Sequence, residues 1–259
     1  MSAEAISTQI KHLSFSRLTE LQHSPLALKH YMERTFEATK AMDEGSLLDC
    51  LLFTPQELDS KFLVIEKISK ATTIGKQYFA EKQLEANGRI IVHQEQFDEA
   101  KYLCDMVASN STVAYHGLLN PDFFKFQVPV EFFKGGFRHR GIKDADGNSR
   151  DGRKVIWDLK RMGSRSGEQL VRSQIRNNDY DLQAAIYCHP FDEKEEPVQY
   201  YVIAVDNEGY TTPFEITLDS RRKAGIRWNR LIKAAHHCNM VGIDQGCEFW
   251  AEQDGFFKF

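Results

Sequence analysis

Two β-rich runs, residues 128–133 and 137–144, are joined through Lys134-Gly135-Gly136, and a glycine pair between such runs leaves little room for anything but a tight hairpin. A polar, turn-forming segment over 145–152 then leads into Lys154-Val155-Ile156-Trp157-Asp158-Leu159-Lys160, a third strand. The three are expected to form an antiparallel meander. Beyond it, Ser166-Gly167-Glu168-Gln169 matches a capping box that opens one helix, and a second helix is expected over 179–188. Tyr200-Tyr201-Val202-Ile203-Ala204-Val205 is uninterrupted apolar sequence suited to a central buried strand. A strand near 212–218 and an amphipathic helix over 220–240 complete the series.

The first half reads as helices. Ser24-Pro25 and Thr54-Pro55-Gln56-Glu57 both carry an N-cap followed by proline at the first helical position. Between them Gly45-Ser46-Leu47-Leu48-Asp49-Cys50-Leu51-Leu52-Phe53 is expected to be a buried helix whose one charge, Asp49, must be paired or bind a cation. Further helices are expected over 75–86 and 94–108. The class is therefore α/β, a mixed central sheet flanked by helices. One domain is expected over 1–259, with 1–125 a mostly helical elaboration and 126–240 the core.

No run approaches the roughly 20 apolar residues of a membrane span, and residues 1–11 lack a secretory pattern, so a cytoplasmic protein is expected. Five scattered cysteines, never spaced as CxxC, argue against a disulfide framework or a zinc site. His236-His237-Cys238 are consecutive on a helix and point apart. The net charge of −4 conceals segregation: residues 134–176 hold twelve Lys or Arg against five Asp or Glu, a local +7 that leaves −11 elsewhere. Such a stretch suits either a phosphate-tracking surface or a solvated face.

The chemistry concentrates in Asp144 and Asp158-Leu159-Lys160. Alternate strand residues share a face, so Asp158 and Lys160 project together, and the neighbouring antiparallel strand brings Asp144 beside them. Two carboxylates suit Mg²⁺ or Mn²⁺, and the ammonium can orient a water and offset charge developing on a phosphate. An isolated D-x-K is common on surface strands, but this Asp158 lies within Val-Ile-Trp-Asp-Leu. Tyr180, Gln183 and Tyr187 fall on one helical stripe, with core packing as the alternative for Tyr187.

Taken together, these elements resemble the PD-(D/E)XK nuclease superfamily and, within it, the RecE-type exonucleases, relatives of the RecB nuclease domain and more distantly of lambda exonuclease. The resemblance runs from about Ser14 to Leu218. Ser14-Phe15-Ser16-Arg17-Leu18 through Ser24-Pro25 is similar to that family's opening helix, and Gly45 to Leu52 with Pro55 to its G-[TS]-x-x-H-x-x-L motif. Arg140-Gly141-Ile142-Lys143-Asp144 resembles its G-x-x-D strand end, residues 155–160 its D-L-K strand, and 180–187 its Y-x-x-Q-x-x-x-Y helix. Two positions depart from the pattern: Asp49 stands where the family has histidine, and Lys143 where the superfamily name promises proline.

The resemblance implies a restriction-endonuclease-like core and Mg²⁺- or Mn²⁺-dependent hydrolysis of linear double-stranded DNA from the 5′ end. Asp144, Asp158, Leu159 and Asp49 would hold metal, with Lys160, Gln183, Tyr187 and Glu131 completing the catalytic set. Arg140, Arg161, Arg165, Arg172 and Arg176 are candidate DNA-backbone contacts. A single-strand-annealing partner, a ring-shaped homo-oligomer and a phage or prophage origin follow from the same likeness. The alternatives are a single-strand-specific nuclease of this fold and an inactive module that binds DNA ends or a partner. The aromatic tail, Phe249-Trp250 and Phe256-Phe257-Lys258-Phe259, would dock on the core or on a partner.

Overall fold

The computed structural model describes residues 9–35, 37–69, 71–163 and 168–244. The first half is built from β1 (His12–Leu13), α1 (Phe15–His23), α2 (Pro25–Glu33), α3 (Lys40–Phe53), α4 (Leu58–Lys61), β2 (Phe62–Ile65), α5 (Thr73–Ala86), β3 (Ile90–His93), α6 (Gln94–Ser109) and α7 (Ser111–His116). It starts a helix at Ser24, where the sequence signals one, whereas Thr54 makes no side-chain cap hydrogen bond and residues 55–57 form only a 3-10 turn ahead of α4. Ser24 accepts the Ala27 N–H with Pro25 in the first turn, and Ser14 and Thr39 cap α1 and α3 in the same way. One expectation needs correction, because this half is not helical throughout. Phe62–Ile65 and Ile90–His93 form a two-stranded parallel sheet. Four residues are too few to display a period, so neither run betrayed a strand.

The second half contains β4 (Phe124–Lys134), β5 (Phe137–Asn148), β6 (Lys154–Met162), α8 (Glu168–Asn177), α9 (Tyr180–Asp192), β7 (Val198–Asp206), β8 (Thr211–Glu215) and α10 (Leu218–Val241). The meander β4-β5-β6 is antiparallel, β7 joins β6 in parallel, and β8 closes that edge antiparallel. This is the expected mixed sheet. Several boundaries differ: β4 begins at Phe124, β5 continues past Asp144 to Asn148, α9 runs on to Asp192, and β8 stops at Glu215, where the chain turns to cap α10 with Thr217. Gly135 and Gly136 both take positive φ at the hairpin tip, as the turn requires. Ser166 and Gly167 of the capping box lie outside the described residues.

Each face of the sheet is covered. Val155, Trp157 and Leu159 of β6 pack with Leu48 and Phe53 of α3 and with Leu103 and Val107 of α6. Ile156 points the other way, into a cluster with Leu182 and Ile186 of α9 and Trp228 and Leu231 of α10. The period-2 alternation of one strand therefore divides the core in two. Among the described residues, no helix is long and apolar enough to cross a membrane. Cys50, Cys104 and Cys188 are free thiols, and Cys247 lies outside the described residues.

His139 is a consequence of that packing with a measurable effect. It is fully buried, stacked on Phe132 at 5.3 Å and edge-on to Trp228 at 5.0 Å. Burial lowers its pKa to about 4, opposed by its hydrogen bond with the Lys134 carbonyl. A folded-state value below the unfolded one of about 6.5 means that stability is complete above pH 6.5 and is lost as pH falls toward 4. His139 is expected to contribute about 3 kcal/mol to that acid loss. Urea midpoints across this window should fall less steeply for His139→Leu than for the wild type, and parallel curves would refute the assignment.

Candidate active site

The sheet opens at one level. β4 pairs along one edge of β5, so β1 and β6 share the other: β1 pairs at Arg138 and His139, and β6 only from Ala145↔Trp157 to Asn148↔Lys154. Residues 140–144 of β5 therefore have no partner on that edge. Carried one step further, the β5–β6 register sets Asp144 opposite Asp158. The β4–β5 ladder also skips a pair there, Gln127 with Asp144, between Phe126↔Ala145 and Val128↔Lys143. Alternation slips at the same point. His139 and Gly141 face α9 and α10, against Trp228 and Tyr187, yet Ala145 packs on the opposite face with Trp157.

Polar side chains converge on this fork from both faces. Asp158, 2% exposed, shares the α9 face with Ile156; its Oδ1 accepts from Gln183 Nε2 at 2.9 Å and its Oδ2 meets Lys160 Nζ at 2.7 Å. Lys160 Nζ also lies 5.1 Å over the Tyr180 ring. The Asp144 Oδ2 accepts the Leu159 N–H at 2.7 Å, a backbone donor released because the ladder has ended. Asp49 arrives from α3 on the opposite face, where its Oδ2 accepts from Gln127 Nε2 at 2.7 Å. Gly45, Asp49, Asp144, Leu159, Lys160 and Tyr180 line a cleft of about 530 Å³.

Electrostatics bind these groups into one unit. Burial, reinforced by the charges of Asp158 and Asp49, pushes the Asp144 carboxyl well above the ordinary carboxylate range, against the pull of Lys160 and the Leu159 N–H. Burial likewise pushes Asp49 up to about 6, with Lys61 and Lys160 opposing and Asp158 assisting. Burial alone would depress Lys160. The carboxylates of Asp158 and Asp144 outweigh it and hold the ammonium above its ordinary range. Three carboxylates thus face one ammonium, a deficit of two charges when all are ionised, in a setting where unpaired charge is costly.

A hard divalent cation fits that deficit. The Oδ1 atoms of Asp49 and Asp144 take no hydrogen bond among the described residues, so each has an oxygen to offer. No group of three or more His, Cys, Asp or Glu forms a ready ligand cage among those residues. Mg²⁺ does not require one: it is commonly held through one or two carboxylates, keeping waters and substrate phosphate oxygens for the rest.

Other sequence candidates lie elsewhere. Glu131 stands four ladder steps from the Gln127–Asp144 level, about 13 Å along the strand, and its exposed carboxylate pairs with Arg138 at 2.6 Å. Arg161 is not a free surface cation: it turns inward to Glu44 and Glu99, joining the end of β6 to α3 and α6. Arg172 pairs with Glu168 on its own helix, while Arg140 and Arg176 are exposed. Arg165 lies outside the described residues, as does the aromatic tail. Tyr187 is buried beneath Gly141, where a Cβ would come within 2.5 Å of its ring. Lys143, in the proline position, is buried in an ion pair with Asp146 and lies 5.4 Å over the Phe191 ring. Tyr180, on the expected helical stripe, lines the cleft beside Lys160, whereas Gln127 was absent from the expected site. Gln127 takes the polar position of the alternating Phe-Lys-Phe-Gln-Val, so the strand pattern carried no signal for it.

Residues 14–241 match the family described as a PDDEXK-like domain of unknown function, DUF3799. Among solved structures, a candidate exonuclease from Eubacterium rectale aligns over 91% of this chain and 86% of its own at 14% identity, with a TM-score of 0.56. A second, SSO0001, covers 94% of this chain and 96% of its own at 14% identity; its TM-score of 0.32 supports no argument. No curated protein matches. The family match spans most of the chain and the fold likeness agrees with it, so this protein belongs to the PDDEXK-like family DUF3799, within the PD-(D/E)XK superfamily.

Proposed function

We propose that this chain is a divalent-metal-dependent deoxyribonuclease that degrades linear double-stranded DNA from its ends. The observation that carries the reading is the meeting of Asp49, Asp144 and Asp158 with Lys160 where β5 and β6 part. Family membership supports a nuclease. Asp144, Asp158 and Asp49, with the Leu159 carbonyl, would hold Mg²⁺ or Mn²⁺. When bound, such an ion supplies Lewis acidity toward a phosphate oxygen and makes water a better nucleophile.

The remaining roles follow from the side chains. Lys160, an ammonium above its ordinary range, is no base; it donates hydrogen bonds that orient the attacking water and neutralises charge gathering on the phosphate. Gln183 fixes the Asp158 carboxylate by its 2.9 Å hydrogen bond. Arg140 and Arg176, exposed on β5 and α8, are suited to backbone phosphates. The resemblance to RecE-type enzymes extends the proposal to 5′ to 3′ polarity, a single-strand-annealing partner in recombination, a homo-oligomer and a phage or prophage setting.

With Mg²⁺, purified protein is expected to shorten end-labelled linear duplex progressively and to leave covalently closed circles intact. Cutting of circles at a comparable rate would replace the exonuclease reading with an endonuclease. Preference for single strands would favour the single-strand-specific alternative.

A further inference from the structure

We propose that Gln127 is the positioning residue for Asp49, holding one carboxylate oxygen so that the other faces the cation in the cleft. This rests on the nuclease reading above. Gln127 has φ +51°; the other non-glycine residues with positive φ among those described (Asn87, Asp179 and Glu195) lie at helix ends or in a loop, whereas Gln127 lies inside a strand. Such a conformation is costly for a residue with a Cβ, and it persists where the surroundings impose it.

What the conformation achieves is visible in the neighbours. Phe126 stacks on Phe53 of α3 at 5.4 Å, so in a regular strand the next residue would point away from that helix. Gln127 instead reaches the same helix and bonds Asp49 at 2.7 Å. Asp49 and Phe53 are four residues apart, on one stripe of α3. Two successive strand residues therefore land on one helical stripe, the re-aiming that a bulge-like distortion provides. The skipped Gln127–Asp144 pair is its trace in the ladder.

The residue type suits the task. An amide orients a carboxylate without cancelling its charge, whereas Lys or Arg here would compete with a cation. Groups that orient metal ligands typically change metal affinity 10–100-fold when removed.

The test uses the full chain, calorimetric titration with Mn²⁺, and thermal unfolding without metal. Gln127→Met and Gln127→Gly are each expected to weaken Mn²⁺ binding by about tenfold or more. Gln127→Gly should melt no lower than the wild type, because glycine accepts this φ. In an Asp49→Asn background, adding Gln127→Met should cause no further loss, since the effect travels through Asp49. The inference is overturned if Gln127→Met binds Mn²⁺ within about twofold of the wild type, or if its full effect survives in the Asp49→Asn background. Undiminished DNA hydrolysis by Asp158→Asn sinks the nuclease reading. Loss of hydrolysis in that variant, alongside unaltered Mn²⁺ binding by Gln127→Met, sinks this inference alone. A wild-type chain that binds no Mn²⁺ sinks both.

Discussion

Asp158→Asn is expected to lower DNA hydrolysis by about 10³-fold or more, the scale on which loss of a group that directly stabilises the transition state is felt, while the protein melts no lower than the wild type. The substitution preserves shape, and the amide oxygen can still accept from Gln183. What disappears is a negative charge in a site with too many of them. Asp144 and Asp49 are both pushed upward in part by Asp158, so removing its charge relieves both. Lys160 loses a partner, but Asp144 still opposes its charge. Activity and stability should therefore separate. End-labelled duplex at saturating Mg²⁺ gives the first quantity, and a dichroism melt without metal gives the second. Wild-type hydrolysis would remove Asp158 from the mechanism; inactivity with an unfolded spectrum would leave Gln183→Leu, which keeps the carboxylate and loses its anchor, to decide the role by a smaller loss of rate.

Much of this site was legible because strand geometry is periodic. Asp158 and Lys160 are two apart, which places both on the α9 face, and the glycine-paired hairpin made β4 and β5 unmistakable. The fork was not legible, because it depends on β1, two residues long, taking up the far end of a β5 edge that β6 abandons. Local pattern carries no trace of a pairing between residues so distant. Charge left two readings open for a similar reason. Seven of the twelve cations between Lys134 and Arg176 are paired with carboxylates: Arg138, Lys143, Arg153, Lys154, Lys160, Arg161 and Arg172. The partners of Arg161 lie 117 and 62 residues away in sequence. A basic stretch of chain is thus not a basic surface, and among the described residues of that stretch Arg140, Arg150 and Arg176 are the arginines without a carboxylate partner.

Lys160→Met should separate two properties that usually fall together: hydrolysis drops about 10²-fold or more, yet Mn²⁺ binds at least as tightly as to the wild type. The argument is one of charge. Among the described residues Lys160 is the cation in direct contact with Asp158, and with Asp144 it forms the balance that the cleft maintains without metal. Removing it leaves buried carboxylates uncompensated, a loss on the order of 3–5 kcal/mol when one member of a buried pair is deleted. A divalent cation recovers more of that loss in the variant than in the wild type, so added Mn²⁺ should raise the melting temperature of Lys160→Met by the larger increment. Catalysis does not recover, because a metal filling the charge deficit leaves nothing to donate hydrogen bonds to water and phosphate at the Lys160 position. Thermal melts with and without Mn²⁺, beside rates on linear duplex, measure both halves. Weaker Mn²⁺ binding by Lys160→Met would overturn the charge-balance account of the cleft, and an undiminished rate would show that the ammonium takes no part in the reaction.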